Sequence, residues 1–262
     1  MNKNQHTFEA KNIVTGYDKK IIIDGIDLSV PSNKVSVIIG SNGCGKSTLL
    51  KTMARLIKPL SGDIVIDGKK ITTMPSKKLA QILGLLPQSP VVPEGITVWD
   101  LVSRGRFPYQ NLFSSLNKED FEAVEEALEI MGISELANRC IDELSGGQRQ
   151  RVWIAMALAQ QTDILLLDEP TTYLDIAYQV EILDLLTDLN RKRGTTIVMV
   201  LHDINQAIKY SHNIVIMKNG AIVNEGSPSK IINENIIKDV YQVEGFIGKD
   251  EDEIYFIPRK VC

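Results

Sequence analysis

The alternation of hydrophobic and polar positions near the N-terminus predicts an antiparallel β layer. The stretches FEAKNIVTGY (8–17), IIIDGIDLSV (21–30) and GDIVIDGKKI (62–71) are rich in β-branched and aromatic residues, and glycines interrupt them. Such alternation is typical of strands that bury one face and expose the other. We therefore expect these three segments to pair with one another.

Continuous apolar runs further along the chain predict strands that are buried on both faces. These runs are VSVIIG (35–40), DILLLDE (163–169), TIVMVLHD (196–203) and NIVIMKNG (213–220). Unbroken runs of this kind are typical of parallel strands that helices cover on either side. Helical patterns in TLLKTMARLI (48–57) and AYQVEILDLLTDLNRKR (177–193) lie between some of them, as in βαβ units.

Residues 89–160 follow a helical period instead. In EDFEAVEEALEIM we expect one apolar stripe, and GGQRQRVWIAMALAQ follows as a second helix. The stripe consists of Phe121, Val124, Ala127, Leu128 and Met131. We interpret this part of the chain as a helical insertion in an α/β core.

The last residues predict a further helix and a strand. SKIINENIIKDVYQV has a helical pattern, an acidic turn KDEDE follows, and IYFIP is a candidate strand.

Composition and charge narrow the classes of function. The 262 residues are 44% hydrophobic and 24% charged, an ordinary globular composition. With a formal net charge of −4 and no polybasic stretch, we expect no nucleic-acid partner. MNKNQHTFEA lacks a signal-peptide core, and no apolar run approaches the ~20 residues that span a bilayer. Any membrane role is therefore expected to come through a partner.

The cysteines fit a reduced cytosolic setting. Cys44, Cys140 and Cys262 are odd in number and lack the spacing of metal ligands.

The segment GSNGCGKST (40–48) carries the clearest chemistry. It matches G-x-x-x-x-G-K-[ST] and lies between a predicted strand and a predicted helix, the context that a phosphate-binding loop requires. Backbone amides from Asn42 to Thr48 would surround the phosphates, Lys46 would neutralise their charge, and the Ser47 hydroxyl would bind Mg²⁺. A plain glycine-rich turn is the alternative. The candidate nucleotide-binding residues here are Gly40, Ser41, Asn42, Gly43, Cys44, Gly45, Lys46, Ser47 and Thr48.

Two carboxylates end the run ILLLDE. Asp168 at the end of the predicted strand can hold Mg²⁺, and Glu169 next to it can orient or deprotonate an attacking water. A helix cap is the alternative for such a pair, but the phosphate loop favours the catalytic interpretation.

The segment LSGGQ (144–148) predicts a second anion site. Its two glycines allow close approach to the backbone, and free amides at a helix start attract negative charge. No local motif completes this site, and an ordinary serine-capped helix is the alternative.

Together these motifs resemble the ATP-binding subunits of ABC transporters over nearly the whole chain. The resemblance implies an α/β fold with a P-loop NTPase core, in which helices flank a mainly parallel sheet. It also implies an N-terminal antiparallel β-subdomain and an inserted α-helical subdomain. We expect a single domain, 1–262, with the core and its β layer in 1–88 and 161–228, the helical subdomain in 89–160 and a short C-terminal extension in 229–262.

The resemblance also assigns roles to further residues. Tyr17 resembles the aromatic that stacks on adenine, and Gln88 the glutamine that contacts Mg²⁺ and senses the γ-phosphate. His202 resembles the histidine that bonds the γ-phosphate, and Asp175 the aspartate that crosses a dimer interface. A core tyrosine is the alternative for Tyr17, and a structural histidine is the alternative for His202.

Two copies would share each ATP. The resemblance implies a homodimer that forms on ATP binding, in which the signature of one copy faces the phosphate loop of the other. The residues that would act in this way are Ser145, Gly146, Gly147 and Gln148. The catalytic set would consist of Glu169, His202, Lys46 and Gln88. The Mg²⁺ ligands would be Ser47, Gln88 and Asp168.

The segment after Gln88 is the expected receiver of a permease helix. It contains two arginines and several aromatics that could line a groove or simply pack the helical arm, and we leave both open. These residues are Trp99, Arg104, Arg106, Phe107, Tyr109 and Phe113.

The stretches GRFPY, PTTYLDI and HDINQA resemble importer ATPases for ferric siderophores, a group that includes cobalamin and haem importers. This implies two integral-membrane permease subunits, indirectly an extracytoplasmic binding protein, and a location at the cytoplasmic face of the cell membrane. A soluble ABC ATPase, for example in iron–sulfur assembly, and an exporter subunit are the alternatives.

Overall fold

The computed structural model describes residues 5–17, 20–88, 94–110, 115–172, 174–250 and 253–262. The chain forms two compact units. We call Met74–Thr195 the helical unit, and residues 5–73 with Thr196–Cys262 the phosphate-loop unit.

The strands among the described residues have the following bounds: β1 Phe8–Tyr17, β2 Lys20–Val30, β3 Val35–Gly40, β4 Ser61–Ile66, β5 Lys69–Lys70, β6 Leu83–Leu86, β7 Ile164–Asp168, β8 Thr196–Val200, β9 Asn213–Lys218, β10 Ala221–Gly226, β11 Val243–Asp250 and β12 Glu253–Val261. The helices are α1 Lys46–Met53, α2 Ser76–Ile82, α3 Val98–Ser103, α4 Lys118–Ile130, α5 Gly146–Ala159, α6 Ile176–Arg193, α7 Ile204–Tyr210, α8 Pro228–Ile231 and α9 Glu234–Tyr241.

The predicted antiparallel layer is confirmed in the phosphate-loop unit. Its strands are arranged in the order β2-β1-β4-β5. Phe8 of β1 lies opposite Val30 of β2 and Ile66 of β4, so its side chain is enclosed and only 1% exposed. The alternation in the sequence thus places one apolar face of this layer inside the unit.

The same unit contains a second sheet around β3. Its strands run in the order β10-β9-β3-β8, with β3 parallel to both β8 and β9 and β10 antiparallel to β9. Every residue of β3 and β8 is buried, as the continuous apolar runs predict. This sheet carries the phosphate loop at the carboxyl end of β3.

In the helical unit, β6 and β7 pair in parallel, with Leu83 opposite Ile164 and Leu86 opposite Leu167. Helix α4 begins with a capping box between Asn117 and Asp120. The helix packs against α5 and α3. Strand β7 is buried along its length and ends at Asp168, so Asp168 and Glu169 lie at the end of a buried strand.

The predicted apolar stripe of α4 is correct except at one position. Val124, Ala127, Leu128 and Met131 are buried, whereas Phe121 is 43% exposed. The Phe121 ring stacks on Trp99 with 5.7 Å between ring centroids, so it forms a surface aromatic pair with α3 instead. Helical spacing alone did not distinguish a buried ring from one on the edge of the stripe.

The C-terminal extension is more complex than expected. The predicted single helix is two short helices, α8 and α9, and Asn233 between them caps α9 by accepting a hydrogen bond from the Ile236 amide (3.0 Å). The predicted strand is longer than IYFIP and pairs with β11 in an antiparallel hairpin. Strand β12 packs against α7.

Candidate functional site

The phosphate loop has the backbone shape that its glycines allow. Gly40, Gly43 and Gly45 have φ angles of 150°, 77° and 105°, in the region that side chains disfavour. A Cβ on Gly40 would lie 2.2 Å from the carbonyl oxygen of Met217, so no other residue fits there. Gly45 is the N-cap of α1, and no side chain caps the helix. The first amides of α1 are therefore not satisfied by a capping side chain.

Lys46 supplies the positive charge of this loop. The residue is only 5% exposed, and its Nζ donates hydrogen bonds to the carbonyl oxygens of Gly40 (2.9 Å) and Ser41 (3.1 Å). An ammonium group that donates to neutral carbonyls, beside a helix start without a side-chain cap, fits a polyphosphate. The residues present therefore fit the nucleotide that the sequence predicts.

Cys44 is a buried residue of the loop, 3% exposed. Burial raises the pKa of its thiol, and Lys46 opposes this only in part. The thiol is therefore mostly protonated at neutral pH, which fits the view that Cys44 is a small space-filling residue.

Glu169 is held by two hydrogen bonds within the helical unit. Its Oε2 accepts from Gln88 Nε2 (2.5 Å) and from Thr172 Oγ1 (3.0 Å). The structure thus brings together Gln88 and Glu169, which are 81 positions apart. Sequence reasoning missed Thr172, although it lies in the quoted stretch PTTYLDI; its spacing of three from Glu169 was the available signal.

The backbone at Glu169 is strained. Its φ is 55°, a left-handed conformation that costs a non-glycine residue roughly 1 kcal/mol or more. Asp168, the preceding residue, ends β7 and is 1% exposed. The turn directs consecutive carboxylates differently, one into the buried strand end and one toward Gln88. Such strain, where the surrounding structure maintains it, is typical of functional sites.

The signature segment begins α5. Ser145 is the N-cap, its Oγ accepts from the Gln148 amide (3.3 Å), and Gln148 Oε1 accepts from the Ser145 amide (3.0 Å). The serine-cap alternative is therefore correct as a description of these side chains in this structure. A Cβ on Gly146 would have no atom within 4 Å, whereas one on Gly147 would make ordinary contacts with Tyr178 and Leu174. Packing within the described chain does not explain the glycine at 146.

Asp175 also has a structural role. It is the N-cap of α6 and accepts a hydrogen bond from the Tyr178 amide (3.0 Å). A role across a dimer interface remains a prediction.

Tyr17 and His202 belong to the phosphate-loop unit and are both accessible. Tyr17 ends β1 and is 46% exposed, and His202 follows β8 and is exposed. Their roles toward adenine and the γ-phosphate are still predictions. The same holds for the other predicted contacts that would join the two units or two copies of the chain.

The segment proposed to receive a permease helix contains some residues that pack the helical unit together and others that are exposed. Arg106 is 4% exposed, and it bonds Asp120 (2.8 Å) and the Ala159 carbonyl oxygen (2.8 Å), so it packs the helical unit together. Tyr109 is likewise bonded to the Gln160 carbonyl oxygen (2.9 Å). Phe107, by contrast, is 60% exposed.

The other residues of that segment divide in the same way. Arg104 is exposed and Trp99 is half-buried against Phe121, while Phe113 lies outside the described residues.

Neither a membrane-crossing helix nor a metal cluster is found in the ranges that the structure describes. No helix there is long and apolar enough to span a bilayer. No three or more His, Cys, Asp or Glu side chains there lie close enough together to hold a metal ion.

Comparison with known proteins agrees with this geometry. A family model described as "ABC transporter" matches residues 23–172. The achromobactin transport ATP-binding protein of Dickeya dadantii is 50% identical, over 92% of this chain and 90% of its own length. The iron(3+)-hydroxamate import ATP-binding protein of Bacillus subtilis is 47% identical, over 94% and 91%.

A solved structure is similar as well. It is the dimeric post-hydrolysis state of an ATP-binding cassette bound to ADP and phosphate, with a TM-score of 0.73 and 29% identity over 84% of this chain and 98% of that one. The family expected from the motifs is therefore confirmed. The chain belongs to the ABC transporter family.

Proposed function

We propose that this chain is the ATP-hydrolysing subunit of an importer that takes up ferric siderophores or a related iron chelate through a membrane permease. Relatives named for iron(3+)-hydroxamate and achromobactin transport, each matching more than 90% of this chain, support the cargo. The observation that carries the enzymatic part is Glu169, which lies on a strained turn and is oriented by Gln88 and Thr172.

The phosphate loop binds the triphosphate. Lys46 leaves its two carbonyl partners and bonds phosphate oxygens, and the first amides of α1 donate to the same group. Tyr17 stacks on the adenine, because an exposed ring at a strand end offers a free face.

The residues that would hold Mg²⁺ are Ser47, Gln88 and Asp168. All three offer oxygen ligands, the type that Mg²⁺ prefers, and Mg²⁺ usually completes its coordination with phosphates and waters. The ion would offset the negative charge of the phosphates.

Glu169 acts as the general base or orients the attacking water. Gln88 and Thr172 both donate to the carboxylate oxygen Oε2 and so orient the carboxylate that would accept a water proton. Gln88 and Thr172 are thus positioning residues. His202 donates to the γ-phosphate as negative charge builds up there.

A second copy completes each site. Ser145, Gly146, Gly147 and Gln148 approach the γ-phosphate bound by the partner copy, and Asp175 lies at the same interface. The open space where Gly146 lacks a Cβ supports this, because a ligand from outside the chain can use it. ATP closes the dimer and hydrolysis opens it, because the phosphate contacts from both sides are lost.

This cycle moves two permease subunits at the cytoplasmic face of the membrane, which receive cargo from an extracytoplasmic binding protein. The exposed Phe107 and Phe121, with the half-buried Trp99 on which Phe121 stacks, are aromatics of the helical unit that suit an amphipathic permease helix.

A Glu169→Gln variant tests the proposal. We expect ATP binding to persist while hydrolysis falls by at least about 100-fold, since the amide cannot accept the proton. Glu225→Gln, at an exposed position of β10, is the matched control and should hydrolyse ATP normally. Hydrolysis near the wild-type rate in Glu169→Gln would refute this role.

The cargo is tested by uptake in a strain that lacks the chain. Radiolabelled ferric siderophore uptake should return with the wild type and with Glu225→Gln, but not with Glu169→Gln. Restored uptake of cobalamin or haem alone would overturn the cargo. Co-purification with a soluble partner in place of a polytopic membrane protein would overturn the import role.

A further inference from the structure

The C-terminal extension, residues 229–262, has no part in the proposed function so far. It belongs to the phosphate-loop unit, where β12 packs against α7 and β11 packs against α9. Helix α7 begins immediately after His202 and Asp203. The extension therefore contacts the helix that follows a proposed catalytic residue.

The side chain of Asn205 joins this extension to α7. Asn205 Nδ2 donates to the carbonyl oxygen of Phe256 (3.1 Å), and Asn205 Oδ1 accepts from the amide of the same residue (2.8 Å). The amide of Asn205 thus occupies both backbone groups of one strand residue, as a neighbouring strand would. Phe256 is 6% exposed, so this pair of bonds is partly shielded from water.

The position of His202 depends on the elements on either side of it. Before it, the Leu201 amide donates to the Ile38 carbonyl oxygen of β3 (3.3 Å). After it, Asp203 caps α7 by accepting from the Gln206 amide (2.8 Å). Only Leu201, His202 and Asp203 lie between the end of the buried strand β8 and the start of α7. A shift of the first turn of α7 would therefore move His202 directly.

The first turn of α7 is not closely packed on the side that faces the C-terminal extension. A cavity of about 270 Å³ lies there, and its lining includes His202, Asp203, Asn205, Tyr241 and Phe256. Space of this size lets side chains and the helix start move without a clash. The two hydrogen bonds of Asn205 cross from α7 to β12 beside this space.

The extension approaches the phosphate loop at a second point. Burial raises the pKa of Tyr241 in α9, and the charge of Asp203 acts in the same direction. The backbone at Gly40, where the phosphate loop begins, lowers the pKa of Tyr241 and so opposes this rise. One segment of the chain therefore borders both Gly40 and the residues around His202.

We propose that the C-terminal hairpin holds His202 in position for the γ-phosphate and that Asn205 is the positioning residue through which it does so. This rests on the role of His202 in the proposed function. Asn205 itself does not touch the nucleotide. Without its bonds, the first turn of α7 moves toward the cavity, and His202 spends less time in a productive position.

Steady-state ATP hydrolysis by the full-length protein tests this proposal. In Asn205→Ala we expect kcat to fall about 10-fold with KM for ATP within about twofold, because a small misplacement affects the reacting geometry more than binding. His202→Ala should lose at least as much. The double variant should be no slower than His202→Ala alone, because residues that act through one another are not additive.

Two further variants separate positioning from loss of stability. Asn190→Ala removes a bond of the same kind, from Nδ2 to the Thr195 carbonyl oxygen (2.7 Å) in the helical unit, and should lower Tm while kcat is kept. Asn205→Asp keeps the shape and one acceptor but sets a carboxylate against the Phe256 carbonyl oxygen. It should show the same fall in kcat as Asn205→Ala, which keeps the test valid if the alanine variant does not fold.

The outcomes distinguish this inference from the proposed function. Wild-type kcat in both Asn205 variants, or losses that add fully in the double variant, would overturn the positioning role and leave the proposed function intact. Wild-type kcat in His202→Ala would overturn the role of His202 in the proposed function itself.

Discussion

Two helix starts in this molecule resemble each other in sequence and differ in structure. Serine and glycine occur at both starts, since α1 follows GSNGCG and α5 follows Ser145 and begins with two glycines, and neither helix has an acidic residue in its first turn. The start of α1 has no side-chain cap, and the buried Lys46 lies over it. The start of α5 is capped by Ser145, with Gln148 completing a capping box.

In the proposed function, this difference explains why one start would bind phosphate by itself and the other would need a second phosphate site. At α1, uncapped amides and an ammonium group combine the helix dipole with a full charge. At α5, the backbone amide of Gln148 is already bonded within the chain, and Arg149, the first basic residue of the helix, donates to the carbonyl oxygen of Leu144 (3.1 Å). Under the proposed function, the second start would therefore add to a phosphate that is held elsewhere.

The largest expected effect comes from filling the second start. Ser145→Arg should lower ATP hydrolysis by more than about 100-fold, because the guanidinium occupies the space of the partner's γ-phosphate and the loss resembles that of an oxyanion donor. Nucleotide binding by the single chain should persist. Hydrolysis and equilibrium nucleotide binding, measured on the same preparation, check both statements.

Ser134→Arg, at an exposed position before the signature, is the matched control and should hydrolyse ATP normally. A mixed dimer of one Ser145→Arg copy and one Lys46→Ala copy should keep at most one intact site. Full activity in the homodimeric Ser145→Arg variant would show that the two starts do not share a nucleotide.

A smaller effect is expected at the first start. Lys46→Ala should weaken ATP binding by roughly 10- to 100-fold, since hydrogen bonds to a charged group contribute about 1.5–3 kcal/mol. Titration with a fluorescent ATP analogue measures this. Lys58→Ala, exposed after α1, is the control, and equal affinities of the two variants would contradict the view of α1 as the site that binds alone.

The smallest effect concerns the cap itself. Ser145→Ala should lower the free energy of unfolding by about 1 kcal/mol, the usual value of an N-cap serine. Urea denaturation followed by circular dichroism checks it. Ser227, the N-cap of α8, makes no side-chain cap bond, so Ser227→Ala should leave stability nearly unchanged. Equal losses in the two variants would mean that the capping box of α5 does not stabilise the helix.

Sequence patterns predicted those features whose causes are local. The continuous runs predicted β3, β7, β8 and β9, and the phosphate loop was identified with its flanking strand and helix. The stripe on α4 was predicted except for Phe121, because the period does not say where the partner helix ends. The break between α8 and α9 was missed because Asn233 reads equally well inside or before a helix.

The site was predicted as a set of residues but not as an arrangement. Glu169 was identified from its place after an apolar run, yet its left-handed backbone and its bond to Gln88 depend on contacts over 81 positions. Asn205 lies in HDINQA, but the sequence predicted no role for it, because its partner Phe256 is 51 positions away. The spacing of residues along the sequence predicts neither Gln88 as the partner of Glu169 nor Phe256 as the partner of Asn205.

What the sequence alone determined is therefore the chemistry that each segment carries: glycines for positive φ angles, a lysine for phosphate, carboxylates after a buried strand, and the period of each element. Only the tertiary structure decided which polar groups already have a hydrogen-bond partner within the chain. It left the start of α1 uncapped, closed the start of α5 with its own side chains, and brought β12 to Asn205. The reason is physical: conformational preference acts over a few residues, whereas a hydrogen bond between distant segments forms only where packing has already brought them together.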